Sequence, residues 1–147
     1  MSFDLLESGV AALGPLTEEV VFVGGATLVL WIADPAAPVP RPTLDIDVIV
    51  EVTTRRELHA FDAALRRRGF SEDVYGGVIR RWRHGEDLVL DAIPADASLL
   101  GFENYWQRAA LPHALRVELP QWRDAPCCFA AVSRCDEARS VCWTRSG

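Results

Sequence analysis

Apolar residues recur with a helical period at Phe3, Leu5, Leu6, Val10 and Leu13, and Gly14-Pro15 ends the pattern, so a short first helix is expected. Glu19 to Val23 then reads as a strand, Gly24-Gly25 as a turn, and Ala26 to Ala33 as a buried helix before a proline-rich loop from Asp34 to Pro42. Leu44 to Val52 is the second expected strand. Thr54 with Glu57 makes a capping-box signature, and Leu58, Phe61 and Leu65 share one face of the helix that follows. Arg66-Arg67-Arg68 suits the negative end of that helix, and Gly69 suits its C′ position. Val78 to Arg83 and Leu88 to Ile93 read as two strands joined around His84-Gly85-Glu86-Asp87. A helix over 99 to 110 and a strand from His113 to Leu119 complete the order. This succession predicts an α/β (α+β) fold, a mixed sheet with flanking helices and no internal repeat.

A chain of 147 residues supports one domain with a substantial core. The longest mainly apolar stretch, Val20 to Ala33, is interrupted by Gly24-Gly25 and falls short of the roughly 20 residues that span a bilayer. Asp4 and Glu7 stand where a signal or transit peptide would be basic, so a cytoplasmic location is expected, with no membrane partner. The net charge of −6 argues against an overall electrostatic grip on nucleic acid and leaves room only for a local basic patch. All four cysteines, Cys127, Cys128, Cys135 and Cys142, crowd the C-terminal tail at spacings that match no zinc pattern.

The chemistry concentrates in the acids. Asp45 and Asp47 are two apart in a strand and so share a face, where two carboxylates repel unless a divalent cation takes their oxygens. Asp91 is a lone acid in the apolar run Leu88 to Ile93, and a charge so placed calls for a cation or a hydrogen-bond network. If the two strands pair, three carboxylates converge, and such a set could hold two magnesium ions about 4 Å apart for an in-line displacement, with Asp91 as the general base or its metal-bound activator. Gly24 and Gly25, opening a helix, would let the backbone approach phosphates.

In this order the residues resemble a known family. Val23-Gly24-Gly25, Arg41-Pro42-Thr43-Leu44-Asp45-Ile46-Asp47, Val89-Leu90-Asp91 with Pro94-Ala95-Asp96, and Gly101-Phe102-Glu103-Asn104-Tyr105-Trp106 look like the nucleotidyltransferases of the DNA polymerase beta superfamily. The nearest likeness is the AbiE-type toxin branch of type IV toxin-antitoxin systems, over roughly residues 18 to 120. The resemblance implies a nucleotidyltransferase core at 1–120 in which Gly24, Gly25 and Thr43 hold the nucleotide and Asp45, Asp47 and Asp91 bind Mg2+, two ions, with Mn2+ as a substitute. It implies transfer of a nucleoside monophosphate from an NTP to a hydroxyl of RNA, particularly tRNA, or of protein, and an antitoxin as a further partner.

Each piece alone has a plainer explanation. A Gly-Gly is ordinarily a turn, an Asp-x-Asp is ordinarily surface or turn chemistry, and a strand aspartate can be satisfied locally. Arg66 to Arg68 reads as a solvated helix end, Arg80, Arg81 and Arg83 as the polar edge of a strand, and Trp82, Tyr105 and Trp106 as packing. His84 and His113 receive no catalytic role. The conjunction, in order and at workable spacing, carries the reading.

From Gln121 the chain is rich in Cys, Trp and Arg and loses clear periodicity. Back-translated and read one base later, this stretch is compatible with alternating strand residues, a proline break and an amphipathic helix carrying a lysine. The expectation is therefore an out-of-frame, poorly structured tail at 121–147, a missing C-terminal helical part and weakened Mg-NTP binding. Two rivals accompany the main reading: a glycosyltransferase using Asp-x-Asp to hold a nucleotide sugar, and an inactive fragment or partner-binding module that keeps the fold.

Overall fold

A computed structural model describes residues 4–32, 34, 36–38, 41–101, 111–117, 119 and 128–131. Its mixed α and β elements are built on one seven-stranded sheet. Helix α1, Asp4–Leu13, leads through a 3-10 segment, Gly14–Glu19, into strand β1, Val20–Val23. A second 3-10 segment, Gly25–Leu30, precedes β2, Asp45–Val50, and helix α2, Arg55–Arg67. The short β3, Ser71–Glu72, is followed by β4, Arg81–His84, and β5, Leu88–Pro94. Strands β6, Ala114–Val117, and β7, Cys128–Ala131, complete the order. The sheet runs β3-β4-β5-β2-β1-β7-β6; β2 with β5 and β1 with β7 pair parallel, and the other neighbours pair antiparallel.

Alternation along the strands divides the sheet into two different faces. Val20 and Phe22 of β1, Ile46, Val48 and Val50 of β2, Trp82 of β4 and Leu88, Leu90 and Ala92 of β5 join one buried cluster with residues of both helices. Leu6, Val10 and Leu13 of α1 and Leu58, Phe61 and Leu65 of α2 supply the helical side. The opposite face has a smaller apolar cluster, Val21, Ile49 and Ala95. Asp45, Asp47 and Asp91 alternate with the helix-facing residues, so they fall on this less covered side.

Local chemistry fixes α2 as its sequence suggests. The Glu57 N–H donates to Thr54 Oγ1 at 3.2 Å, while the Thr54 N–H donates to Glu57 Oε2 at 3.0 Å. The N–H groups of Thr53 and Thr54, with the two hydroxyls, hold the Glu57 carboxyl below its ordinary pKa. At the other end the arginines are exposed, yet Arg68 also reaches α1, donating from Nε to the Ala12 carbonyl at 3.0 Å and from Nη2 to that of Ala11 at 3.1 Å. It satisfies carbonyls that the end of a helix leaves open.

Several sequence expectations are corrected. The segment after Gly24 is a 3-10 turn with only Ala26 and Thr27 buried, and Leu28 is exposed, where a buried α-helix was expected. Both the Thr27 N–H and its hydroxyl bond back to the Gly24 carbonyl, which favours the tight turn. The strand expected from Val78 begins instead at Arg81, because Arg80 takes a left-handed backbone with φ +66° that breaks the extended run. Val78 and Ile79 are exposed in the loop before it. Of the helix expected over 99 to 110, Ala97–Leu100 is a 3-10 turn capped by Asp96, and 102–110 lie outside the described residues, as do Tyr105 and Trp106. Of the tail at 121–147, Cys128–Ala131 forms β7, which joins β1 and β6, and the remainder lies outside the described residues. Among the described residues no helix is long and apolar enough to cross a membrane.

Candidate active site

Strand pairing assembles the acids. In the parallel β2–β5 pair Asp47 lies directly opposite Asp91, and in the β4–β5 hairpin Arg81 lies opposite Asp91 on the other side. Asp47, Asp91 and Arg81 thus form a row across three strands, with Asp45 two residues along from Asp47 on the same face. The site lies in the middle of the sheet, where β2 and β5 each have a strand paired on both sides.

Arg81 binds the acids as a fork. Its Nε donates to Asp91 Oδ1 at 2.8 Å and its Nη2 to Asp91 Oδ2 at 2.7 Å, while Nη2 also donates to Asp45 Oδ2 at 2.9 Å. The Thr43 hydroxyl donates to the other oxygen of Asp45, Oδ1, at 2.8 Å. Hydrogen bonding to Asp91 holds the guanidinium still more firmly protonated than an ordinary arginine.

Asp47 is treated differently by its surroundings. Burial, followed by the charges of Asp45 and Asp91, pushes its carboxyl up to about 6 from the usual 3.8, with Arg81 a partial offset. Because the folded pKa lies above the unfolded one, the native state binds the extra proton between about pH 4 and 6. The contribution of Asp47 to stability is therefore most favourable at the acid end of that window, declines as pH rises through 6 and is flat beyond. In urea titrations without added metal, the stability difference between Asp47→Asn and the natural chain should grow from pH 4 to 7 in favour of the variant. A difference that stays constant across that window would contradict the assignment.

The glycine pair sits against this centre. Gly24 has φ +75° and ψ −161°, a backbone combination essentially reserved for glycine, and a Cβ there would stand 2.2 Å from Asp47 Oδ2. A Cβ on Gly25 would stand 3.4 Å from Thr43 Cβ. Gly24, Gly25, Thr43, Asp45, Asp47 and Asp91, singled out by the sequence, are thus brought together. Gly24→Ala should destabilise the protein by about 1 to 3 kcal/mol, the range for a forbidden backbone region, with displacement of Asp47 in addition. A urea midpoint unchanged from the natural chain would count against that packing.

Arg81 is the site residue that sequence reasoning missed, having been read with Arg80 and Arg83 as a polar edge. Each of the three is committed to an acid: Arg80 to Asp62, Arg81 to Asp45 and Asp91, and Arg83 to Asp73 at 2.8 Å. The signal was present, because a hairpin that pairs His84 with Leu88 necessarily sets Arg81 against Asp91.

The donor set is entirely oxygen and predominantly anionic, which suits a hard divalent cation such as Mg2+ or Mn2+. Among the described residues no group of three or more His, Cys, Asp or Glu side chains is arranged to hold one ion. Mg2+, however, is commonly held by one or two carboxylates with water and substrate phosphates completing its shell, and Asp45 and Asp47 meet that requirement. A depression of about 570 Å³ lies elsewhere, lined by α1, Arg68 and the β4–β5 turn, and includes none of these residues. No protein-family model, curated protein or solved structure matches the chain.

Proposed function

We propose that this chain is a divalent-cation-dependent nucleotidyltransferase that moves a nucleoside monophosphate from an NTP to a hydroxyl of RNA, tRNA in particular, or of protein. The observation that carries the reading is the alignment of Asp45, Asp47 and Asp91 on one sheet face with Gly24 closed against Asp47. The motif order resembles the DNA polymerase beta superfamily and its AbiE-type branch, and an antitoxin partner belongs to the same proposal.

Asp45 and Asp47 would hold the cation, which when bound would withdraw charge from the α-phosphate and the leaving pyrophosphate. Thr43 orients Asp45 through its 2.8 Å hydrogen bond. The absent side chain of Gly24 makes room for the Asp47 carboxylate itself, and Gly25 would let phosphate oxygens approach the main chain. The acceptor oxygen forms a bond to Pα while the bond from Pα to the bridging oxygen breaks, and pyrophosphate departs with that electron pair. The acceptor proton passes to Asp91, whose carboxylate has about four lone-pair sites, of which Arg81 occupies two.

Incubation of the purified chain with Mg2+, each α-labelled NTP and either total RNA or a protein extract tests the reading. Label should enter RNA or protein from an NTP, with no transfer from labelled UDP-sugars. Sugar transfer would establish the glycosyltransferase alternative. Absence of both transfers, with a folded protein, would favour a partner-binding module.

A further inference from the structure

Two-ion phosphoryl-transfer centres place their cations about 4 Å apart, with shared acids between them. Here a cation belonging to the chain already stands among the acids. Arg81 Nη2 lies 2.9 Å from an oxygen of Asp45 and 2.7 Å from an oxygen of Asp91, bridging β2 and β5, while Nε takes the second Asp91 oxygen. Asp91 is buried and Asp45 and Arg81 are partly exposed, so the ion pairs are only partly screened by water.

We propose that Arg81 is the resident second cation of this centre, so that the nucleotide-free protein binds one divalent ion, at Asp45 and Asp47, and not two. The inference rests on the nucleotidyltransferase reading and concerns its ion complement. Charge supports the count: three carboxylates and one guanidinium leave the cluster at −2, which one divalent ion cancels and two overshoot by as much. Arginine also suits the role better than lysine. Its planar fork spans both oxygens of Asp91 and still reaches Asp45, and it keeps its charge at every accessible pH. Its anchoring is structural too, since β4 holds Arg81 opposite Asp91 by strand register.

Mn2+ titration of the full chain without nucleotide, by calorimetry and by electron paramagnetic resonance of the free ion, tests the count. The natural chain should bind one Mn2+. Arg81→Met and Arg81→Gln, checked for folding by circular dichroism, should bind two, with the spectral broadening of a coupled ion pair. Two ions in the natural chain, or one in a folded Arg81 variant, would overturn the inference and leave the nucleotidyltransferase reading intact. No bound ion in any of the proteins would overturn the inference alone, because substrate phosphates complete a Mg2+ shell, and the labelled-NTP transfer assay decides the nucleotidyltransferase reading separately. Two ions in the natural chain would overturn the inference even if neither variant folds.

Discussion

Replacing Asp47 with asparagine should lower nucleotidyl transfer by about a thousandfold or more, equivalent to roughly 4 kcal/mol of transition-state stabilisation and in line with the several kcal/mol a catalytic cation supplies. The same substitution should leave the metal-free protein as stable as before at pH 7, or more so. The reason is the raised pKa: burial and the charges of Asp45 and Asp91 disfavour the ionised carboxylate, and the isosteric amide removes that penalty. Loss of activity with retained or improved stability separates a functional acid from a structural one. Steady-state transfer assays alongside urea denaturation check both halves. Retained activity would remove Asp47 from the centre, and a large loss of stability would mean that its charge serves the fold.

Asp62→Ala should produce the largest loss of stability, about 3 to 5 kcal/mol, the range for leaving a buried charge without its partner. Asp62 and Arg80 are both nearly sealed from water, their side chains 9% and 8% exposed. The guanidinium binds both carboxylate oxygens, one of them at 2.7 Å, and donates from Nε to the Ala92 carbonyl at 3.2 Å. The pair joins α2 to β5 one residue from Asp91, so its loss should also loosen the row of Asp47, Asp91 and Arg81. The double variant Asp62→Leu with Arg80→Met should recover much of the stability, since apolar replacements of a buried pair are often neutral or favourable. Chemical denaturation of the three proteins measures the coupling, and an Asp62→Ala variant within about 1 kcal/mol of the natural chain would show that the pair is not buried as described.

The parts of this molecule that were legible in the sequence are those governed by near neighbours. Thr54 and Glu57 are three residues apart and make the expected reciprocal cap, and Gly85 turns the chain between β4 and β5 with φ +64°. The alignment of Asp45 with Asp47 follows from strand period alone. What escaped depends on the third dimension. The buried polar pair of Asp62 and Arg80 joins residues 18 apart through a backbone conformation that propensity does not anticipate at arginine. Strand β3 has only two residues, and β7 adds to the sheet through parallel pairing with β1, so neither leaves a readable period. Arg81 was misread because period-two alternation tells which residues point away from the helices without telling what that face is for.

The β4–β5 hairpin also has a consequence for the order of events as the chain folds. Hairpins close within about 1 to 10 μs, ahead of pairings between distant segments, and this one joins Arg81 to Asp91 before β5 need find β2. On those timescales Asp91 should arrive beside Asp45 and Asp47 already escorted by a positive charge. The docking step that would otherwise press three like charges together becomes an encounter between two carboxylates and a neutral pair, and the arginine that offsets part of the finished centre's charge also eases its assembly.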